Sequence, residues 1–178
     1  MPSTRKFESE AELYAAAMRA LMRRSHSVYE MRVLLERRAA EKSLVPAVME
    51  RLKHLGYLDD ARYAREFMRA HVQIRHQGKF RIARELRTRG VPDRHIESAL
   101  EGVFAETDER AVLRARVERR VRLMRGELDE RKRASLYGSL LRAGFPADAI
   151  RDELRRLRVA VPKDADDAPV ADAADDSA

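Results

Sequence analysis

The sequence has no cysteine and no tryptophan, and only seven glycines and six prolines. Without cysteine there is no disulfide framework, no thiolate metal site and no thiol nucleophile. Long apolar runs are missing as well. No stretch approaches the roughly 18 uninterrupted apolar residues of a membrane span, and the polar residues 1–10 lack the apolar region of a secretory signal. These absences imply a soluble cytoplasmic protein. Aromatics are scarce, at five Tyr and five Phe, which leaves little for stacking on single-stranded bases. No segment alternates polar and apolar residues with period two, so no sheet is expected. There is no Walker-type glycine loop, no dinucleotide fingerprint and no Gly-x-Ser-x-Gly elbow.

What remains is rich in Ala, Leu, Arg and Glu, all good helix formers, and it is basic. The whole chain carries +7. Residues 162–178 hold one lysine and six aspartates, a net of −5, which leaves +12 on residues 1–161. A body this basic is drawn to polyanions. The tail, with Val170 as an isolated aliphatic residue, has too little apolar surface to order itself and is expected to be disordered.

Nine helices are expected. The first covers 10–24, with Leu13, Ala17, Leu21 and Met22 apolar. Ser27 and Glu30 open the second as a capping box. Ser43 is expected to cap a third, which ends at Gly56. Asp59 or Asp60 starts the fourth, with Tyr63, Ala64, Phe67 and Met68 on one side. A fifth runs over 79–89 to Gly90, a sixth begins at Pro92-Asp93, and Thr107 or Asp108 caps a seventh that reaches Arg125. Asp129 starts the eighth, which stops at Gly144. The ninth covers 146–158.

The chain also repeats itself. At a spacing of 54 residues, Leu86, Gly90, Pro92, Ile96 and Leu100 match Leu140, Gly144, Pro146, Ile150 and Leu154, and Val91 matches Phe145. Residues 34–52 have the same outline without the turn glycine. The string YAAAMRA (14–20) parallels YAREFMRA (63–70). The fold class is therefore all-α: three tandem three-helix repeats of about 50 residues forming an elongated, curved body. The units are 10–57, 58–105 and 106–160, between a disordered 1–9 and a disordered acidic 161–178.

Five histidines, His26, His54, His71, His76 and His95, make no metal-binding pair. His71 and His76, five apart, point about 140° from each other on a helix. No metal, cofactor or catalytic constellation is expected. The arginines carry more information. In the seventh helix Leu113, Val117, Val121 and Met124 form an apolar stripe. The rest of its surface holds Arg110, Arg114, Arg116, Arg119, Arg120, Arg122 and Arg125, with Glu118 among them. The fifth helix repeats the theme with Lys79, Arg81, Arg84, Arg87 and Arg89. So many like charges on one helix repel one another and call for an anion. The guanidinium fork binds phosphate and carboxylate alike, so DNA and an acidic protein surface both remain open. Candidate filament- or polyanion-binding residues are Arg81, Arg84, Arg87, Arg114, Arg116, Arg119, Arg120, Arg122 and Arg125. Candidate junction and capping residues are Gly56, Tyr57, Leu58, Asp59, Asp60, Gly90 and Gly144. Ser25 and Ser27 are further caps.

The strings RRSHSVYEMRVLL (23–35), LGYLDDARYAREFM (55–68), KFRIARELRTRGV (79–91) and LLRAGFPADAI (140–150) resemble the RecX family of recombination regulators. The resemblance spans about residues 10–158. It implies a non-enzymatic modulator, usually an inhibitor, of the RecA recombinase that binds along the groove of the RecA–DNA filament and also binds DNA weakly and non-specifically. A monomer without cofactor is expected. The alternatives are a stand-alone nucleic-acid-binding helical module, or a helical scaffold that binds a protein without nucleic acid.

Overall fold

The structure, a computed structural model, describes residues 6–124 and 129–156. Among these it is all-α, with α1 Glu10–Leu21, α2 Val28–Arg38, α3 Val45–His54, α4 Asp60–Gln73, α5 Lys79–Thr88, α6 Asp93–Ala105, α7 Glu109–Arg122, α8 Glu130–Arg142 and α9 Ala147–Arg156. A short 3-10 turn, Lys42–Leu44, precedes α3.

Helix starts follow the side chains able to accept from free backbone N–H groups. Ser9, Asp59, Asp108 and Asp129 each accept from the first turn of the helix that follows. Ser27 and Glu30 form a complete capping box, with Glu30 N donating to Ser27 Oγ at 3.0 Å and Ser27 N donating to Glu30 Oε2 at 3.1 Å. The helix ends that carry glycine share one geometry. Gly90 and Gly144 take φ of +70° and +87°, which residues with a Cβ adopt only at a cost. Their N–H groups bond Arg87 and Leu141 carbonyls, and the next residues, Val91 and Phe145, bond back to Leu86 and Leu140. This is the Schellman arrangement, and Val91 and Phe145 are thereby driven into the interior.

Three apolar clusters result. One gathers Leu13, Ala17, Met31, Leu35, Val48, Leu52 and Leu58 from α1–α3 and the turn after them. The second joins Ala64, Met68, Ile82, Leu86, Ile96 and Val103 from α4–α6. The third joins Leu113, Val117, Leu136, Leu140, Ile150 and Leu154 from α7–α9. The repeat-matched pairs Leu86/Leu140 and Ile96/Ile150 are all fully buried, and each such side chain contributes on the order of 2 kcal/mol. Val112 packs on both the second and the third cluster.

The units meet through a recurring contact. The C-terminal turn of the middle helix in one unit docks on the start of the middle helix in the unit before it. Ser27 Oγ, at the start of α2, donates to the Arg89 carbonyl at the end of α5, 2.6 Å away. Gly78 N, at the start of α5, donates to the Ala143 carbonyl at the end of α8 at 2.8 Å, and Phe80 N reaches the Gly144 carbonyl at 3.3 Å. Both approaches are close enough that a Cβ at Gly90 would overlap Tyr29 and one at Gly78 would overlap the Gly144 backbone.

Several expectations are corrected. Ser43 does not cap α3. The 3-10 turn precedes that helix, Leu44 is its N-cap without a side-chain bond, and Ser43 Oγ donates to Glu41 instead. Ser25 is exposed and caps nothing. Asp59 alone caps α4, while Asp60 Oδ1 accepts from Val28 N, 2.9 Å away, at the start of α2. The first helix ends at Leu21 and the seventh at Arg122. Residues 6–9, expected to be without structure, are held in place: Phe7 forms a parallel bridge with Ala39, donating to the Arg38 carbonyl and accepting from Ala40 N, each at 2.8 Å. Phe7 also packs on the first core. The expectations for Arg125 and for residues 161–178 lie outside the described residues.

Candidate functional site

The basic surface is built on α5 and α7, and the structure divides its arginines into two groups. The inner group is satisfied internally. Arg114 pairs with Glu153 of α9 at 3.2 Å. Arg116 Nη1 donates to the Arg75 and His76 carbonyls at 2.8 and 3.1 Å, pinning α7 to the loop between α4 and α5. Arg81 Nε donates to Glu85 at 2.7 Å, and its Nη1 reaches the Arg142 carbonyl at 3.4 Å. Arg87 pairs with Asp93 at 2.7 Å. Arg110, on the α9 side of α7, lies 4.0 Å from Asp152. Lys79 of α5 pairs with Glu109 at the start of α7 at 3.2 Å, joining the two basic helices directly.

The outer group is Arg84, Arg119, Arg120 and Arg122. All four are exposed and none makes an ion pair with a described side chain. The structure also brings the two helices' charges together. Burial, and after it the charges of Arg120, Arg81 and Arg119, pull the Arg116 guanidinium below its ordinary pKa. Arg81 of α5 therefore belongs to the same positive cluster as the middle of α7, a neighbourhood that sequence spacing does not reveal. Such a cluster favours an incoming anion, and the half of α7 facing α9 is already partly neutralised.

The junction between the first two units is a second concentration of polar chemistry. Glu30 receives Arg89 Nη1 at 2.7 Å, Arg24 Nη1 at 3.1 Å and the Tyr63 hydroxyl at 3.4 Å. Burial works against the Glu30 carboxylate, but the hydrogen bonds from Arg24 and the Ser27 backbone and the charges of both arginines outweigh it. Its pKa is held below the usual carboxylate value. Tyr63 is raised, first by burial and then by the Glu30 charge. Arg89 also lies over the Phe67 ring, 5.0 Å from its centroid, and Phe67 stacks on His71. His71 donates from Nδ1 to Gln77, and burial lowers its pKa. His26 is lowered by burial and by Arg24.

Of the junction candidates, Leu58 is buried in the first core and Gly90 and Gly144 form the docking turns. Gly56 adopts φ +72° but nothing approaches it. Tyr57 stands where the first two units meet. It is 44% exposed and lines a shallow cleft with His26, Asp59, Arg62 and Tyr63. Sequence reasoning missed Ser27's second bond, Glu30's role at the junction, Asp60's cross-unit cap and Gly78. Gly78 stands three residues before Arg81 without a repeat-matched glycine, so spacing gave no cue to its role. No cluster of three or more metal-ligating side chains exists among the described residues, and no helix there is long and apolar enough to cross a membrane.

Comparison with known proteins agrees with this architecture. The family model described as "RecX, second three-helix domain" matches residues 59–100. The regulatory protein RecX of Halorhodospira halophila is 42% identical over 137 residues, 76% of this chain and 82% of that protein. The regulatory protein RecX of Deinococcus radiodurans is 34% identical over 163 residues, 92% of this chain and 76% of that protein. A crystal structure of RecX from Lactobacillus salivarius superposes with a TM-score of 0.68 at 21% identity, covering 84% of this chain and 96% of that one.

Proposed function

This chain belongs to the RecX family of regulatory proteins, and we propose on that premise that it binds the RecA–DNA filament in the cytoplasm and inhibits its recombinase and ATPase activity. The supporting observation is the set of exposed arginines, Arg84, Arg119, Arg120 and Arg122, beside a cluster already crowded with positive charge. A filament offers both phosphates and acidic side chains to such a face, and a guanidinium grips either in two places.

The action is one of binding, without catalysis by this chain or a cofactor. A ligand that favours one filament state shifts the population toward it by its difference in affinity. A monomer laid across neighbouring recombinase subunits would stabilise one arrangement of the lattice and slow ATP turnover or extension. The test is DNA-dependent ATP hydrolysis by RecA, titrated with this protein while DNA is kept in excess. Inhibition at less than one copy per recombinase subunit is the expected result. Inhibition that vanishes in excess DNA would instead mark a stand-alone nucleic-acid-binding module, which the same exposed arginines would also serve.

A further inference from the structure

We propose that the acidic segment 162–178 docks on the outer arginines of α7 in the same molecule and competes there with external polyanions. The inference rests on the reading of that face as the interaction surface and adds how access to it is regulated.

The observations are charge, vacancy and reach. Arg119, Arg120 and Arg122 are exposed and make no ion pair with a described side chain, and the neighbouring Arg116 is disfavoured as a cation by burial and then by the charges of Arg120, Arg81 and Arg119. Carboxylates arriving here would relieve that repulsion. Two acidic residues of α9 are used elsewhere: Asp152 and Glu153 are committed to Arg110, Arg114, Arg155 and Arg156. Beyond α9 the chain supplies Asp164, Asp166, Asp167, Asp172, Asp175 and Asp176 against the single Lys163. Glu153 sits 3.2 Å from Arg114, which puts the last turn of α9 beside α7. Arg120 lies six residues farther along that helix, about 9 Å at 1.5 Å per residue. Asp164 is eight residues past Arg156, where α9 ends, and reaches up to about 26–29 Å beyond it when extended. The tether therefore spans the distance with length to spare, and its aspartates stand at an effective concentration on the order of millimolar. Weak carboxylate–guanidinium contacts suffice for partial occupancy at that concentration, and salt weakens them.

The absence of native cysteine permits a direct test. A Ser177→Cys variant of the full chain, carrying one nitroxide, is examined by paramagnetic broadening of the backbone amides at low salt. The expected result is selective broadening around Arg119–Arg122 that is lost at high salt, or when Arg119, Arg120 and Arg122 are replaced by Gln. Broadening that is absent, or unchanged by those substitutions, overturns the proposal. So does broadening seen only between labelled and unlabelled copies in a mixture. In parallel, replacing the six tail aspartates by Asn should tighten binding of a fluorescent oligothymidine about 2- to 10-fold at low salt, with the gain shrinking as salt rises. Unchanged oligothymidine affinity would overturn the competition. The broadening is read within the molecule, so it stands or falls separately from filament inhibition.

Discussion

At the scale of single residues, arginines that look equivalent in the sequence do different work. Arg116 is bonded to two carbonyls of the α4–α5 loop, whereas Arg119 is exposed. Arg116→Gln is expected to lower stability by roughly 1–3 kcal/mol, since two loop carbonyls lose charged donors. Arg119→Gln should stay within about 0.5 kcal/mol. Urea denaturation of the two variants distinguishes them. The glycines differ in the same way. A Cβ on Gly56 meets open space and carries only the left-handed backbone cost, about 1–2 kcal/mol. At Gly90 it also overlaps Tyr29, so Gly90→Ala should cost clearly more than Gly56→Ala in the same measurement.

At the scale of elements, the junction of the first two units should make the fold labile to acid. His71 and His26 are held below the ordinary imidazole value of 6.5 by burial. Folding therefore favours their neutral forms, and the stability they contribute is full above that value and lost as pH falls through the folded one. Glu30, depressed from 4.5, follows the same sign in a lower window: its contribution is present above 4.5 and lost on further acidification. The urea midpoint should fall in two stages below about pH 6.5. His71→Gln should flatten the upper stage and Glu30→Gln the lower, and a profile unchanged in both variants would remove these groups as the cause. Helices were largely legible in the sequence because capping and left-handed glycine act over three or four residues: Ser27, Asp59, Asp108, Gly90 and Gly144 all stand where local chemistry puts them. Asp60 was not legible. Its partner, Val28 N, is 32 residues away, and only the packed units bring them together. The division of the arginines was hidden for the same reason, because their acceptors are carbonyls and carboxylates of other helices.

At the scale of the whole molecule, the repeat was visible as a glycine, an apolar residue and a proline recurring in register, but the rule that joins one unit to the next was not. That rule is a backbone contact between the end of one middle helix and the beginning of another. It couples each unit chiefly to its neighbour, as in other repeat proteins. Replacing Arg84, Arg119, Arg120 and Arg122 together by Gln should leave the helical circular dichroism unchanged. The dependence of DNA binding on log salt should become shallower by about 0.9 for each phosphate contact removed from duplex DNA. Small-angle scattering of the full chain should report an elongated particle, and a spherical profile would contradict the tandem arrangement.

A row of units joined by one repeated contact has two ends, and an unoccupied contact is an adhesive end, as a bare sheet edge is. In the first unit the place that a preceding helix would take, at the end of α2, is filled by the backbone of Phe7 bonded to Arg38 and Ala40. Residues 6–9 thus cover that contact, and the prediction is that they keep the series from continuing into a second molecule. For a protein proposed to work along a filament, this separates coating the filament from growing one of its own. A variant lacking residues 1–8 should associate in a concentration-dependent way in sedimentation velocity where the full chain does not, and a single unchanging sedimentation coefficient for the variant would show that end to be inert.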